Sequence, residues 1–319
     1  MGLTIVKQLV ELQGGSIEVS SKRDVGSTFT VVIPFNDSGI LQSEVSLKDD
    51  REQNISEVLK TINLLIVEDN PMNQKLIVKI MELWECPYEI ASSGFAALEK
   101  TAEKKFDIIL MDIHMPEMDG CETTIKIRQD EDNLNQKTPI IALTAAALLE
   151  EKNRALDSGM DDFLTKPFSP KQLQKRLGKF LNIEVEEPEH QVNTLLTKDE
   201  VVNIDFTYLL EMSRGDDSFI KEMIEIFLKE IPAAMNQLAE EVEQKNWTKI
   251  SNISHRIKSN FMMLGMKVQQ ENALVIETSI KNNDFDPEEI VTRLHQLKSD
   301  SKIAYPMLEK ELKRFSSEN

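Results

Sequence analysis

Residues 106–120 read FDIILMDIHMPEMDG. A short, continuous apolar run bounded by turn residues is how a strand buried on both faces looks in sequence. This run ends on a carboxylate, Asp112. Similar runs lie on either side: NLLIVEDN at 63–70, YEIAS at 88–92, PIIALTA at 139–145 and DFLTKP at 162–167. Amphipathic stretches of helical period separate them. Strands alternating with helices predict an open, five-stranded parallel sheet with helices on both faces. Ligands of such sheets bind beyond the carboxyl ends of the strands.

The polar residues gather at that edge. Glu68 and Asp69 end the first strand, Asp112 the third, Thr144 the fourth and Lys166 the fifth. Three converging carboxylates repel one another unless a hard cation lies among them, and Mg2+ takes oxygen ligands and shares them with phosphate. Phosphoryl transfer needs an in-line nucleophile and neutralisation of the equatorial oxygens. Asp112 supplies the nucleophile. Lys166 can pair with phosphoryl oxygens, and the Thr144 hydroxyl can donate to one. With MDIHMPEMDG, ALTA and LTKPF, residues 61–182 resemble a response-regulator receiver domain of flavodoxin-like α/β fold. The resemblance implies the strand order 2-1-3-4-5 that is general for this fold. It also implies Mg2+ held by Asp69, Asp112, the backbone carbonyl of His114 and, through water, Glu68. A cis Lys166–Pro167 bond and an aromatic switch residue, Phe163, are further implications. A phosphatase of the haloacid-dehalogenase type would need D-x-D after the first strand, which VEDNP lacks.

From Asp205 the period is helical. Gly215–Asp217, Pro232, Lys245–Asn246, Gly265, Asn282–Asn283 and Pro287 punctuate it into a short helix and four longer ones, as in an antiparallel bundle. At about 100° per residue, Ile250, Ile253, Ile257, Phe261 and Leu264 fall within roughly 80° of one another as a buried stripe. His255 lies roughly 160° from the middle of that stripe, which predicts a histidine facing solvent. Lys258 and Ser259 share its face. Lys258 can offset phosphate charge, the small Ser259 leaves room for a partner, and Met262 offers an adaptable docking surface. HRIKSNFMMLG at 255–265 resembles the histidine phosphotransfer (HPt) motif, with Ser259 where glycine is common and Asn260 where serine or alanine is common. That resemblance covers 205–319 and implies an all-α four-helix bundle. His190 and His295 have no supporting neighbours.

Two acidic stretches, 37–60 at −3 and 183–204 at −5, carry much of the net charge of −18 and are expected to be solvated linkers. Ahead of them, 1–36 reads as an amphipathic helix over 2–15 and a hairpin built from SIEVS and STFTVVIP, turning around Asp24 to Gly26. This α+β segment resembles the C-terminal end of a histidine-kinase ATP-binding domain. The resemblance matches Met1 to an internal methionine and implies no complete ATP site and no kinase histidine in this chain. The acidic balance argues against nucleic acid and anionic membrane as partners. Cys86 and Cys121 lack metal-ligand spacing, which suits a reduced cytoplasmic setting. No apolar run is long enough to span a bilayer, although a parent kinase could be anchored upstream.

Together these readings describe a multidomain chain that resembles the C-terminal part of a hybrid sensor histidine kinase. The implied chemistry takes phosphate from an upstream kinase histidine to Asp112, then to His255, then to a downstream response regulator. The alternative is a binding module that accepts phosphate and passes nothing on.

Overall fold

The computed structural model describes residues 10, 15–22, 26–32, 55, 57–144, 149–181, 183 and 202–317. The chain divides into two compact units, Met1–Asp50 and Arg51–Asn319. In the first, β1 (Ser16–Lys22) and β2 (Gly26–Val32) form an antiparallel hairpin with Ser16 opposite Val32. Of the helix expected over 2–15, only Val10 and Gly15 lie within the described residues; Val10 is helical and buried, and the Gly15 N–H donates to its carbonyl at 2.9 Å. The expected turn at Asp24 and Val25 lies outside them.

The second unit opens on the α/β layer. Its elements are β3 (Leu64–Val67), α1 (Pro71–Leu83), β4 (Tyr88–Ala91), α2 (Gly94–Glu103), β5 (Ile108–Asp112), α3 (Gly120–Gln129), β6 (Ile140–Thr144), α4 (Leu149–Asp157), β7 (Asp162–Thr165) and α5 (Pro170–Phe180). The strands form one parallel sheet in the order β4-β3-β5-β6-β7, which is the expected 2-1-3-4-5. All residues of β3, β5 and β6 are buried, which is why their sequences show no alternation. The register sets Val67 opposite Met111, Asp112 opposite Leu143 and Thr144 opposite Thr165, so the strand ends form one edge. Gly120 fits there because a Cβ would lie 2.1 Å from the Asp112 carbonyl oxygen. Lys166–Pro167 is cis.

The helical layer follows: α6 (Thr207–Ser213), α7 (Asp217–Glu243), α8 (Trp247–Met263), α9 (Lys267–Lys281) and α10 (Pro287–Ser317). The expected stripe of Ile250, Ile253, Ile257, Phe261 and Leu264 is buried against the neighbouring helices. Gly265 turns the chain at φ +62°, where a Cβ would meet the Cβ of Asp205 at 2.5 Å. Pro232 does not punctuate; it lies inside α7. A proline there costs about 3 kcal/mol, offset by the buried Ile231, Ala234, Met235 and Leu238 around it.

The two layers meet. Helix α1 packs against α6, α7 and α8, and one cluster of buried apolar residues runs from Leu76, Ile77 and Phe168 into Phe227 and Met263. The edges of the expected linkers join this packing. Ile55 and Leu59, inside the 37–60 stretch, are 1% and 0% exposed, and Val202 and Ile204 pack against the same cluster. Average charge hid these apolar residues, whose burial outweighs the acidic context.

Candidate functional site

The site begins where β3 and β5 end. Glu68, Asp69 and Asp112 bring carboxylate oxygens within 4.8 Å of one another. Lys166, delivered by β7, reaches between them, with Nζ 2.5 Å from Glu68 Oε2 and 2.8 Å from Asp112 Oδ2. Glu68 is fully buried and also accepts from Asn73 Nδ2 at 2.8 Å.

Burial raises carboxyl pKa values, and neighbouring negative charge raises them further. Burial and then Asp112 push Glu68 up to about 8. The same two causes push Asp69 up to about 6. Asp112 goes the other way: burial opposes ionisation, but Lys166 and then His255 hold its carboxyl below the usual range. Among the three acids, Asp112 is therefore the one whose ionised form is favoured over its ordinary range, as suits a nucleophile. The Asp112, Asp69 and Lys166 side chains stand together as the sequence predicts. The Thr144 hydroxyl, expected to donate to a phosphoryl oxygen, donates to Glu151 Oε2 at 2.6 Å in this structure. A residue seven positions on, at the start of α4, competes for that proton. Phe163 is half-buried, with Lys152 Nζ 4.5 Å from its ring centre.

The helical layer supplies the other half. His255 faces away from the bundle core, as its angle on α8 requires, but it does not face solvent. Its exposure is 9%, because the sheet edge covers it. A ring nitrogen of His255 lies within 4.8 Å of both an Asp112 carboxylate oxygen and a His114 ring nitrogen. The two imidazoles lie with centroids 4.4 Å apart, tilted by 39°. Burial, then the neighbouring His255 and Lys281, lower the pKa of His114 to about 3, so that ring is neutral. Its backbone N–H donates to Asp112 Oδ1 at 3.2 Å. The motif therefore places the His114 side chain as well as its backbone at the site.

Two residues that sequence reasoning missed complete the geometry. Glu277, on α9, holds His255 Nδ1 at 2.7 Å and Lys258 Nζ at 2.5 Å, with Lys281 Nζ at 2.7 Å. Burial opposes its charge, but His255, Lys258 and Lys281 keep its carboxyl well below the usual range. Lys258 therefore pairs with Glu277 in this structure. Asn70, the N-cap of α1, accepts from Met72 N with Oδ1 and spends Nδ2 on the Arg256 carbonyl at 3.0 Å and Asn260 Oδ1 at 2.7 Å. Ser259 is buried and Met262 half-buried in the same seam. Ion pairs Lys79–Asp216 and Lys75–Glu222 flank it, and the Tyr208 hydroxyl donates to the Phe168 carbonyl at 3.2 Å. A cleft of about 530 Å³ opens beside the two histidines, lined among others by Asp69, Glu151, Arg256 and Lys281.

Residues 64–178 match the response regulator receiver domain family, and residues 222–299 match the Hpt domain family. The chain is 29% identical over 236 residues to the signal transduction histidine-protein kinase BarA of Escherichia coli strain K12, spanning 71% of this chain and 25% of that protein. It is 30% identical over 234 residues to the sensor protein GacS of Pseudomonas syringae pv. syringae, spanning 72% of this chain and 26% of that one. The chain therefore spans about a quarter of the length of these curated relatives. Among solved structures, the receiver domain of a sensor histidine kinase from Pseudomonas aeruginosa PAO1, with a magnesium ion coordinated in its active-site cleft, is 36% identical. It covers 38% of this chain and 98% of its own, with a TM-score of 0.36.

Proposed function

From a chain that carries a response regulator receiver domain joined to an Hpt domain, as hybrid sensor kinases do, we propose a phosphorelay step run between Asp112 and His255. The observation that carries it is the pairing itself. An aspartate held ionised and a histidine fixed by a carboxylate face each other across a buried seam, with oxygen and ring nitrogen within 4.8 Å. A phosphorus on the Asp112 oxygen would then stand within about 3–3.5 Å of the attacking nitrogen, the distance of a near-attack geometry.

The residues divide the work. Asp112 attacks a phosphoryl donor, which for the parent protein would be a kinase phosphohistidine, and becomes an acyl phosphate. Lys166, between Glu68 and Asp112, neutralises charge on the transferring oxygens. Glu277 accepts from Nδ1–H of His255 and so leaves Nε2 with its lone pair toward Asp112. In the transfer, the Nε2–P bond forms as the Asp112 O–P bond breaks, and the bonding pair returns to the carboxylate. Charge developing on the imidazole is met by Glu277 through Nδ1. Neutral His114 lines the path without adding a competing cation.

The acid pocket fits a hard dication: three carboxylates share it, and two hold raised pKa values because burial and the Asp112 charge outweigh what Lys166, and Arg256 beside Asp69, offset. Asp69, Asp112, the His114 carbonyl and, through water, Glu68 would hold Mg2+, which would supply charge neutralisation on the phosphoryl oxygens. The partners of this reading are an upstream histidine kinase and a downstream response-regulator receiver. Among the described residues no helix is long and apolar enough to cross a membrane.

The docked geometry favours relay over a phosphate sink, since a sink has no use for a histidine buried against its own Asp112. The test uses acetyl phosphate with Mg2+ as donor. Label should reach Asp112 and then His255. His255→Gln should accumulate label on Asp112, and Asp112→Asn should prevent label at both. Label reaching His255 in Asp112→Asn would remove Asp112 from the route.

A further inference from the structure

Among the described residues, the seam between the two domains holds one buried side-chain-to-side-chain amide pair, and its chemistry is more selective than that of the contacts around it. Asn70 and Asn260 are each 2% exposed. Every polar atom of the Asn70 side chain is in use. Oδ1 accepts from Met72 N at 2.9 Å, and Nδ2 donates to Asn260 Oδ1 at 2.7 Å and to the Arg256 carbonyl at 3.0 Å. Nearby in the seam Leu76, Ile77, Phe168, Met262 and Met263, together with Asn73, Lys166 and Tyr208, line a void of only about 10 Å³. With both amides almost completely buried, bulk water does not reach the pair, and a donor left without its acceptor would stay unpaired.

We propose that the Asn70–Asn260 pair sets which receiver domain the His255 face accepts: one with a side-chain amide directly after its acidic pair docks, and one without is rejected. The proposal rests on the relay reading and names the partner chemistry of the same site. The flanking ion pairs do other work. Lys75 and Glu222 are 31% and 47% exposed, so they attract without discriminating strongly. Aliphatic and thioether contacts at the seam adapt to many shapes. A buried amide does neither, because its penalty falls on any partner that leaves it unsatisfied. Position 260, where the motif commonly has serine or alanine, carries in this chain the acceptor that Asn70 requires.

The experiment compares four full-length chains: wild type, Asn70→Ser, Asn260→Ala and the double variant. Serine keeps an oxygen for Met72 N, so the start of α1 is preserved. Two readings are taken: the rate of Asp112-to-His255 transfer, and the rate at which diethyl pyrocarbonate modifies His255, which reports docking without phosphate. Each single variant should slow transfer and speed modification by about 5- to 150-fold, the range for one unsatisfied buried group. The double variant should be no worse than the worse single, because no side-chain amide of the pair remains to be stranded. Singles that match wild type, or effects that multiply in the double, would overturn the proposal. Should wild type transfer nothing, the relay reading fails, while the modification rates still decide whether the pair governs docking.

Discussion

His255 Nδ1 lies 2.7 Å from Glu277 Oε1, a carboxylate carried by the next helix of the bundle. The contact fixes the ring and selects the nitrogen that can attack. Glutamine at 277 would keep an acceptor but lose the charge that meets the developing imidazolium. Glu277→Gln should therefore lower the Asp112-to-His255 transfer rate about 100-fold, the low end of the range for a group that manages a proton in the transition state. Rapid-quench measurement of label on each residue checks this, and an unchanged rate would leave Glu277 a purely structural acid.

Glu277 also makes stability depend on acidity. Burial opposes its ionisation, but His255, Lys258 and Lys281 hold its carboxyl well below the usual carboxylate range. For an acid whose folded pKa is depressed, the unfolded chain binds the proton first on acidification. The stabilisation is thus complete above about pH 4.5 and is lost progressively below it. Between pH 5 and pH 3 the wild-type midpoint in urea should fall more than that of Glu277→Gln.

The acid pocket has the opposite sign. Glu68 is raised to about 8 and Asp69 to about 6. In the metal-free chain these protons are kept on folding, so stability falls as pH rises from the ordinary carboxyl range toward 8. A cation must displace them. Mg2+ affinity should therefore climb across that interval, with proton release on binding, and level off above about pH 8. Calorimetry in buffers of different ionisation enthalpy counts the protons. Glu68→Gln should flatten the climb.

Much of this was legible before any coordinates. Asp112 and Lys166 end strands, and strand ends of a parallel sheet converge by geometry, so their meeting follows from chain order. The bundle stripe and the direction of His255 follow from the helical period. What the period cannot show is what lies opposite. His255 was expected in solvent because angle reports direction from the bundle core, and the covering receiver surface is 141 positions away at His114. Glu277 and Asn70 escaped for the same reason: their partners are 22 and 190 positions distant, brought close only by packing. Pro232 misled in the other direction, since a propensity rule lost to burial on both sides of it.

The flanking pairs Lys79–Asp216 and Lys75–Glu222 put cations of α1 opposite acids of the bundle. Partly exposed pairs are worth about 0.2–1 kcal/mol each and are screened by salt. Raising ionic strength from about 0.1 to 1 M should slow transfer several-fold at most. Lys75→Glu with Lys79→Glu should slow it at low salt and respond to salt in the opposite direction, because screening then relieves a repulsion.

In the relay proposed for this protein, one chain passes phosphate between its own Asp112 and His255. Domains tethered at this range reach effective concentrations near the millimolar level, far above those of free domains in dilute solution. The most direct test loads Asp112 with labelled acetyl phosphate and follows label at His255 over a thousandfold range of dilution. A first-order rate constant that does not change with dilution, and no transfer in a mixture of Asp112→Asn and His255→Gln chains, is the predicted result. A rate constant falling in proportion to concentration, or full transfer in the mixture, would contradict it.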